Sequence, residues 1–305
     1  MSLIVTSGKK FLDIDAFAGC VAYAELLKLQ GIEAKAVSTA VMNDSITRTA
    51  KELGGDLLTD YVPADDNTFV IIDVSEPEYL DRVVDPTKIV SIIDHHLGFE
   101  AYWQERQVED IDIELIGAAC TQVYERWKQA GLIDSISPAS ARLLSLGILD
   151  NTLHFTAKVC TQRDIDAYQH LSLLGNVPSD WAAHYFRECQ ESIVTDLPLA
   201  LENDTKQMDF PGYDGTLKVG QLVVWDANGI VDDVVNMVED RLHVVNLVSI
   251  KDNTSYLLTR DLSVQQFLKK ILAVYFDDAM ATADRMWLRK EIMKAAIDAN
   301  DRETV

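Results

Sequence analysis

An aspartate and two histidines stand in succession at Asp94-His95-His96, directly after the apolar run Ile89-Val90-Ser91-Ile92-Ile93. Such residues make poor core, but carboxylate and imidazole together are good ligands for divalent metals and good partners for phosphate. The same arrangement occurs twice more. Asp73 ends Phe69-Val70-Ile71-Ile72, and Asp13 and Asp15 follow Leu3-Ile4-Val5-Thr6 after a short interval. In an open parallel sheet the carboxyl ends of the strands share one crevice, so these acids and imidazoles are expected to meet there as a metal centre.

The elements that must position them read as an α/β alternation. Leu3 to Ser7 and Ala34 to Ser38 have strand character, and Ala16 to Gln30 between them reads as a helix ended by Gly31. Asp44 is the expected cap of a helix running to Leu53, and strands at Phe69 and Ile89 follow, predicting a parallel sheet with helices on both faces. Helical spacing then dominates over Thr121 to Gln129, Pro138 to Leu149 and Thr161 to Leu174, the last with a capping-box start at Thr161 and Asp164. A second α/β pattern begins near residue 196. Gly215 to Trp225 alternates as a strand, Val244 to Ile250 and Ser255 to Thr259 read as paired strands, and Ser263 to Tyr275 is amphipathic. The expected domains are 1–191 and 196–305, joined by a short connection with a cleft between them.

Composition narrows the function classes. The 305 residues are 48% hydrophobic and 25% charged, an ordinary globular balance, with a net charge of -22. That charge opposes nonspecific binding to nucleic acid or an anionic membrane, and no basic stripe offsets it. Cys20, Cys120, Cys160 and Cys189 are widely spaced, which fits reduced thiols and no structural zinc site. The N-terminus shows no basic leader, and no run of about 18 apolar residues occurs, so a cytoplasmic protein is expected. No Walker-type or dinucleotide-binding glycine motif follows any strand.

Asp13-Ile14-Asp15-Ala16, Asp73, Asp94-His95-His96 and an acid near Thr152-Leu153 resemble, in order, the four motifs of the DHH phosphoesterase superfamily. Asp204-Thr205-Lys206, Val219-Gly220-Gln221-Leu222 and Arg289-Lys290 are similar to pieces of the DHHA2-type second domain of manganese-dependent inorganic pyrophosphatases and related exopolyphosphatases. The resemblance implies a metal-dependent hydrolase of phosphoanhydride bonds, acting on pyrophosphate or short polyphosphate through water activated by two metals. It assigns Asp13 to one metal, Asp15 and His95 to the other, Asp73 to a bridge between them, and His96 to the substrate phosphate. Lys206, Arg289 and Lys290 become phosphate contacts, and Asp94 orients an imidazole. Mn²⁺ is the implied ion, with Mg²⁺ or Co²⁺ as substitutes. Oligomeric state, a homodimer included, stays open.

Two departures from the family pattern stand out. Where the pyrophosphatases carry a histidine four residues before the first aspartate, this chain has Lys9, whose ammonium cannot ligate a metal while protonated. At Leu149-Asp150-Asn151-Thr152 the family's acid maps onto Asn151, with Asp150 one residue early; Asp150 is the preferred local acid. Two further readings follow. One is a nuclease or cyclic-dinucleotide phosphodiesterase of the wider superfamily, weakened by the absence of a G-G-G-H run. The other is a degenerate homologue that binds a phosphorylated ligand without turnover. His154, His170, His184 and His243 read as structural or surface residues.

Overall fold

The computed structural model describes residues 2–241 and 243–303. The chain divides into two compact units, Met1–Tyr185 and Phe186–Val305.

In the first unit the strands are β1 (Leu3–Thr6), β2 (Ala34–Ala36), β3 (Thr68–Ile72), β4 (Ile89–Asp94) and β5 (Asp110–Ile113). They form one sheet of order β2-β1-β3-β4-β5 with every pairing parallel. The helices are α1 (Ile14–Leu29), α2 (Arg48–Leu53), α3 (Glu100–Glu105), α4 (Ala119–Gln129), α5 (Pro138–Asn151) and α6 (Gln162–Leu174), with α7 (Trp181–Thr195) running across the division between units. Side chains alternate along β3. Phe69 and Ile71 join Ile4, Ile92 and Trp103 in a core on one face, whereas Ile72 meets α1 on the other. A Cβ on Gly19 would stand 2.6 Å from Ile72 Cγ2, so glycine is what lets α1 approach the strand so closely. α1 buries residues around its whole circumference, as a helix covered on all sides must.

Two local differences from the expected elements have simple causes. α2 starts at Arg48, not near Asp44, because the Asn43 side chain accepts from Ser45 N (3.0 Å) and Oγ (2.5 Å). That turn passes the capping role to Thr47, whose hydroxyl accepts from Ala50 N at 3.2 Å. The edge strand β5, Asp-Ile-Asp-Ile, hid behind its acids; Arg126 pairs with both Asp110 and Asp112 at 3.0 Å.

The second unit holds α8 (Leu197–Asn203), β6 (Thr205–Asp209), β7 (Thr216–Val224), α9 (Val231–Arg241), β8 (Val244–Ser249), β9 (Thr254–Leu258), α10 (Leu262–Leu272), β10 (Phe276–Asp277), β11 (Met280–Thr282) and α11 (Arg289–Glu303). Its sheet has the order β10-β11-β9-β8-β7-β6 and is mixed: β7 and β8 are parallel and the other pairs antiparallel. Alternation along β7 sends Leu217 and Val219 to a core with Val264 and Ile292 of α10 and α11. Leu222 and Val224 go to a core with Leu201 and Val234 of α8 and α9.

Candidate metal centre

The acids and imidazoles gather at the carboxyl ends of β1, β3 and β4, beside the point where the order β2-β1-β3 reverses the direction of winding. Asp13 caps α1, accepting from Ala16 N at 3.0 Å. Asp15, fully buried two residues later, serves α4: Ala119 N and Cys120 N each donate to it at 2.8 Å, which places its carboxylate on the positive end of that helix. Asp73 takes the left-handed conformation at φ 62° while its N–H still continues the sheet to Ile93 O at 2.8 Å. A non-glycine residue held there is strained, and such strain is characteristic of residues kept for a function. The turn is anchored from behind: buried Trp103 donates Nε1–H to Ser75 O at 2.7 Å, and Ser75 Oγ donates to His96 O at 3.2 Å.

The two imidazoles are oriented differently. His95 Nδ1 lies 3.0 Å from Ile116 O, and since a carbonyl only accepts, Nδ1 must carry the proton. Nε2 therefore faces Asp73 Oδ1 at 3.2 Å and Asp15 Oδ2 at 3.9 Å. A neutral imidazole would set a lone pair against carboxylate oxygens, so this nitrogen requires a cation, either a proton or a metal. Burial opposes charging His95, but its contact with Asp73 and the field of Asp73 and Asp15 prevail and lift its pKa to about 10. His96 Nδ1 donates to Asp94 Oδ1 at 2.9 Å, so Asp94 orients His96, whose imidazolium it favours, and leaves Nε2 to the exposed side.

Asp73, His95 and His96 each offer a ligand atom within 4.8 Å of the others. Asp73 Oδ1 is fully buried and has no hydrogen bond among the described residues. An orphaned carboxylate oxygen opposite a fixed imidazole nitrogen fits a divalent ion. Burial and Asp13 push the Asp73 carboxyl well above the usual range, and burial and Asp15 do the same, more weakly, to Asp13.

At the end of α5, Asp150 and Asn151 part ways. Asp150 Oδ1 accepts from the Tyr185 hydroxyl at 2.9 Å, and burial, with help from Asp13 and Asp15, raises its pKa to about 7. Asn151 Nδ2 donates to Asp15 Oδ2 at 2.5 Å. The chain leaves through Leu153, His154 and Phe155, three consecutive residues at positive φ. Gly147 makes the α1–α5 contact possible, since a Cβ there would stand 2.4 Å from Cys120 Sγ and 3.0 Å from Asp15 Oδ1.

Lys9 is exposed, with its N–H donated to Tyr79 O at 2.8 Å, and it is Lys10 that lines the cavity of about 440 Å³ beside Asp13, Asp73, Asp94 and His96. In the second unit Lys206 and Lys290 are exposed. Arg289 is buried, donating to both the carbonyl and the carboxylate of Asp204 and to Val219 O at 3.4 Å. Lys10 and Tyr185 are not legible in the sequence; a lysine pair gives no sign of which member lines the cavity, and Tyr185 lies 35 residues from Asp150.

The model of the DHH family's N-terminal domain matches residues 3–148. A probable manganese-dependent inorganic pyrophosphatase of Bacillus licheniformis is 22% identical over 240 residues, covering 76% of this chain and 74% of that protein. One from Deinococcus radiodurans is 30% identical over 169 residues, 54% of this chain and 52% of its own length. Among solved structures, a Methanococcus jannaschii protein assigned as a family II inorganic pyrophosphatase superimposes with a TM-score of 0.64 at 18% identity, covering 98% of this chain and 99% of its own. An exopolyphosphatase-related protein from Bacteroides fragilis gives 0.53 at 14% identity, covering 99% and 92%. No helix among the described residues is long and apolar enough to cross a membrane. With its acids and histidines at the strand ends, the segment 3–148 is similar to the N-terminal domain of the DHH family.

Proposed function

We propose that this protein is a metal-dependent hydrolase of phosphoanhydride bonds, with inorganic pyrophosphate or short polyphosphate as the simplest substrates, and that it uses two divalent ions, Mn²⁺ foremost. The observation that carries the reading is His95: its Nδ1–H is fixed on Ile116 O, so its Nε2 is held against Asp73 and Asp15, where a metal resolves the conflict of lone pairs. Asp13, Asp15, Asp73 and His95 would hold the ions, with Asp150 as the nearby acid. Bound there, divalent ions supply a water of lowered pKa and positive charge for the phosphoryl oxygens.

The chain's own groups do the rest. Asp94 holds His96 by its Nδ1–H and favours its charged form, so that Nε2–H can donate to a phosphate oxygen in the cavity. Two backbone N–H groups of α4 and the Asn151 amide donate to Asp15, which fixes its carboxylate before any ligand arrives. The left-handed turn at Asp73 accompanies a carboxylate set 3.2 Å from His95 Nε2 and within the field of Asp13.

The names of the Bacillus licheniformis and Deinococcus radiodurans relatives support the same chemistry and the same ion. Phosphate release by the purified protein in Mn²⁺, Mg²⁺ and Co²⁺, against pyrophosphate, tripolyphosphate and a dinucleotide panel, tests it. Metal-dependent cleavage of the anhydrides supports the reading. Cleavage of dinucleotides alone points to a phosphodiesterase, and no turnover with any ion to a binding protein.

A further inference from the structure

The cavity beside the metal centre is not the cavity that a purely inorganic anion needs. Its lining includes Asp13, Asp73, His96 and the cation Lys10, but also Phe11, Tyr79 and Leu97. Those three side chains are 50%, 45% and 54% exposed, large hydrophobic groups left in contact with solvent in the lining of one cavity. Scattered apolar residues on a surface need no explanation, but three converging on a polar centre do. Pyrophosphate and polyphosphate present only charged oxygens, to which an aromatic ring or a leucine offers nothing. The volume, about 440 Å³, falls within the roughly 300–1,000 Å³ typical of pockets for organic ligands, with apolar walls and a few convergent polar groups.

We infer that the phosphoanhydride taken by this site carries an aromatic organic group at one end, as a nucleoside diphosphate does. The inference rests on the hydrolase reading for its reaction and on the wall for its specificity. Lys10, whose Nζ is 5.8 Å from the Phe11 ring centre, marks the junction: its ammonium serves the phosphate and the adjoining ring serves the base. In the reaction, water adds its oxygen to the terminal phosphorus and the bridging P–O bond breaks. The leaving nucleoside monophosphate keeps the bond's electron pair, and one proton goes to solvent with the inorganic phosphate.

The test compares kcat/KM in Mn²⁺ for adenosine 5′-diphosphate, methyl diphosphate and inorganic pyrophosphate, with wild type, with Phe11→Ala/Tyr79→Ala and with Leu97→Ala. All three side chains are half-exposed, so the truncations spare the core, and Leu97→Ala stands in if the double variant fails to fold. The expected result is that adenosine diphosphate exceeds both other substrates at least tenfold, and that the double variant lowers its ratio to pyrophosphate about tenfold, the scale of losing a base-stacking surface. Pyrophosphate equal to or better than adenosine diphosphate, or a ratio unmoved by every variant, overturns the inference. If nothing is hydrolysed the hydrolase reading fails instead, and calorimetric affinities in Mn²⁺ then decide. Adenosine diphosphate binding at least tenfold more tightly than pyrophosphate upholds the organic group; equal affinities dismiss it.

Discussion

Asn151 Nδ2 donates to Asp15 Oδ2 at 2.5 Å, so the residue standing where the family pattern has an acid acts here as the partner of a buried carboxylate. The amide neutralises part of the field that a second carboxylate would intensify. Asn151→Asp exchanges a donor for a repelling oxygen and is expected to cost the metal-free protein roughly 2–4 kcal/mol, the scale of a broken charged hydrogen bond with an unpaired buried charge. Mn²⁺ should then raise the melting temperature of the variant more than that of wild type, because the new carboxylate becomes a ligand. Thermal melts with and without Mn²⁺ decide; equal metal-induced shifts would exclude a place for residue 151 at the metal.

The His95 imidazole ties metal binding to pH. Its folded pKa of about 10 lies above the ordinary value of 6.5, so the stability it contributes is fully present below pH 6.5 and lost as pH rises through 10. Asp150, raised to about 7 from 3.8, acts in the same sense over its own window. The metal-free protein should therefore lose stability steadily as pH rises from about 4 to 10. Metal must displace the Nε2 proton, so Mn²⁺ affinity should increase with pH, by up to about tenfold per unit on account of His95. Calorimetry at pH 8 in two buffers of different ionisation enthalpy should show proton release that His95→Gln diminishes. Affinity independent of pH would remove His95 from the ligand set.

The strand-end residues were legible because each follows a short apolar run, and the parallel order needs only the βαβ rhythm to bring Asp73 and His95 together. What joins them to the rest was not legible. α4 has no side-chain cap of its own at Ala118, and nothing local in the sequence indicates that Asp15, more than a hundred residues earlier, supplies it. The Asp164 capping box could be read at Thr161, but its second use, accepting from Gly117 N and Thr121 Oγ1, is tertiary. In the second unit the two-residue strand Phe276–Asp277 is too short to show a period.

Asp73 combines backbone strain with a buried charge, and two substitutions separate the costs. Both Asp73→Ala and Asp73→Gly should abolish Mn²⁺ binding and turnover, since each removes the carboxylate opposite His95. Alanine keeps a Cβ at φ 62°, whereas glycine tolerates it, so the glycine variant should be the more stable by about 1 kcal/mol. Urea unfolding of the metal-free variants measures the difference. An alanine variant as stable as the glycine one would mean that the turn relaxes and stores nothing.

Gly147 tests whether the centre depends on the contact of α1 with α5. Alanine is the better helix former by about 1 kcal/mol, which alone would stabilise α5. Its Cβ, however, would stand 2.4 Å from Cys120 Sγ, 3.0 Å from Asp15 Oδ1 and 3.2 Å from Asp15 Cα, and none of these atoms ends a long flexible chain. Overpacking of this kind costs roughly 1–3 kcal/mol, so Gly147→Ala should be destabilising on balance and should weaken Mn²⁺ binding by displacing Asp15. Adding Cys120→Ala removes the nearest clash while leaving the one with Asp15. The double variant should then regain stability relative to Gly147→Ala but keep its weakened metal affinity. If stability and affinity recover together, the glycine serves helix packing alone and the position of Asp15 is set by its bonds to α4.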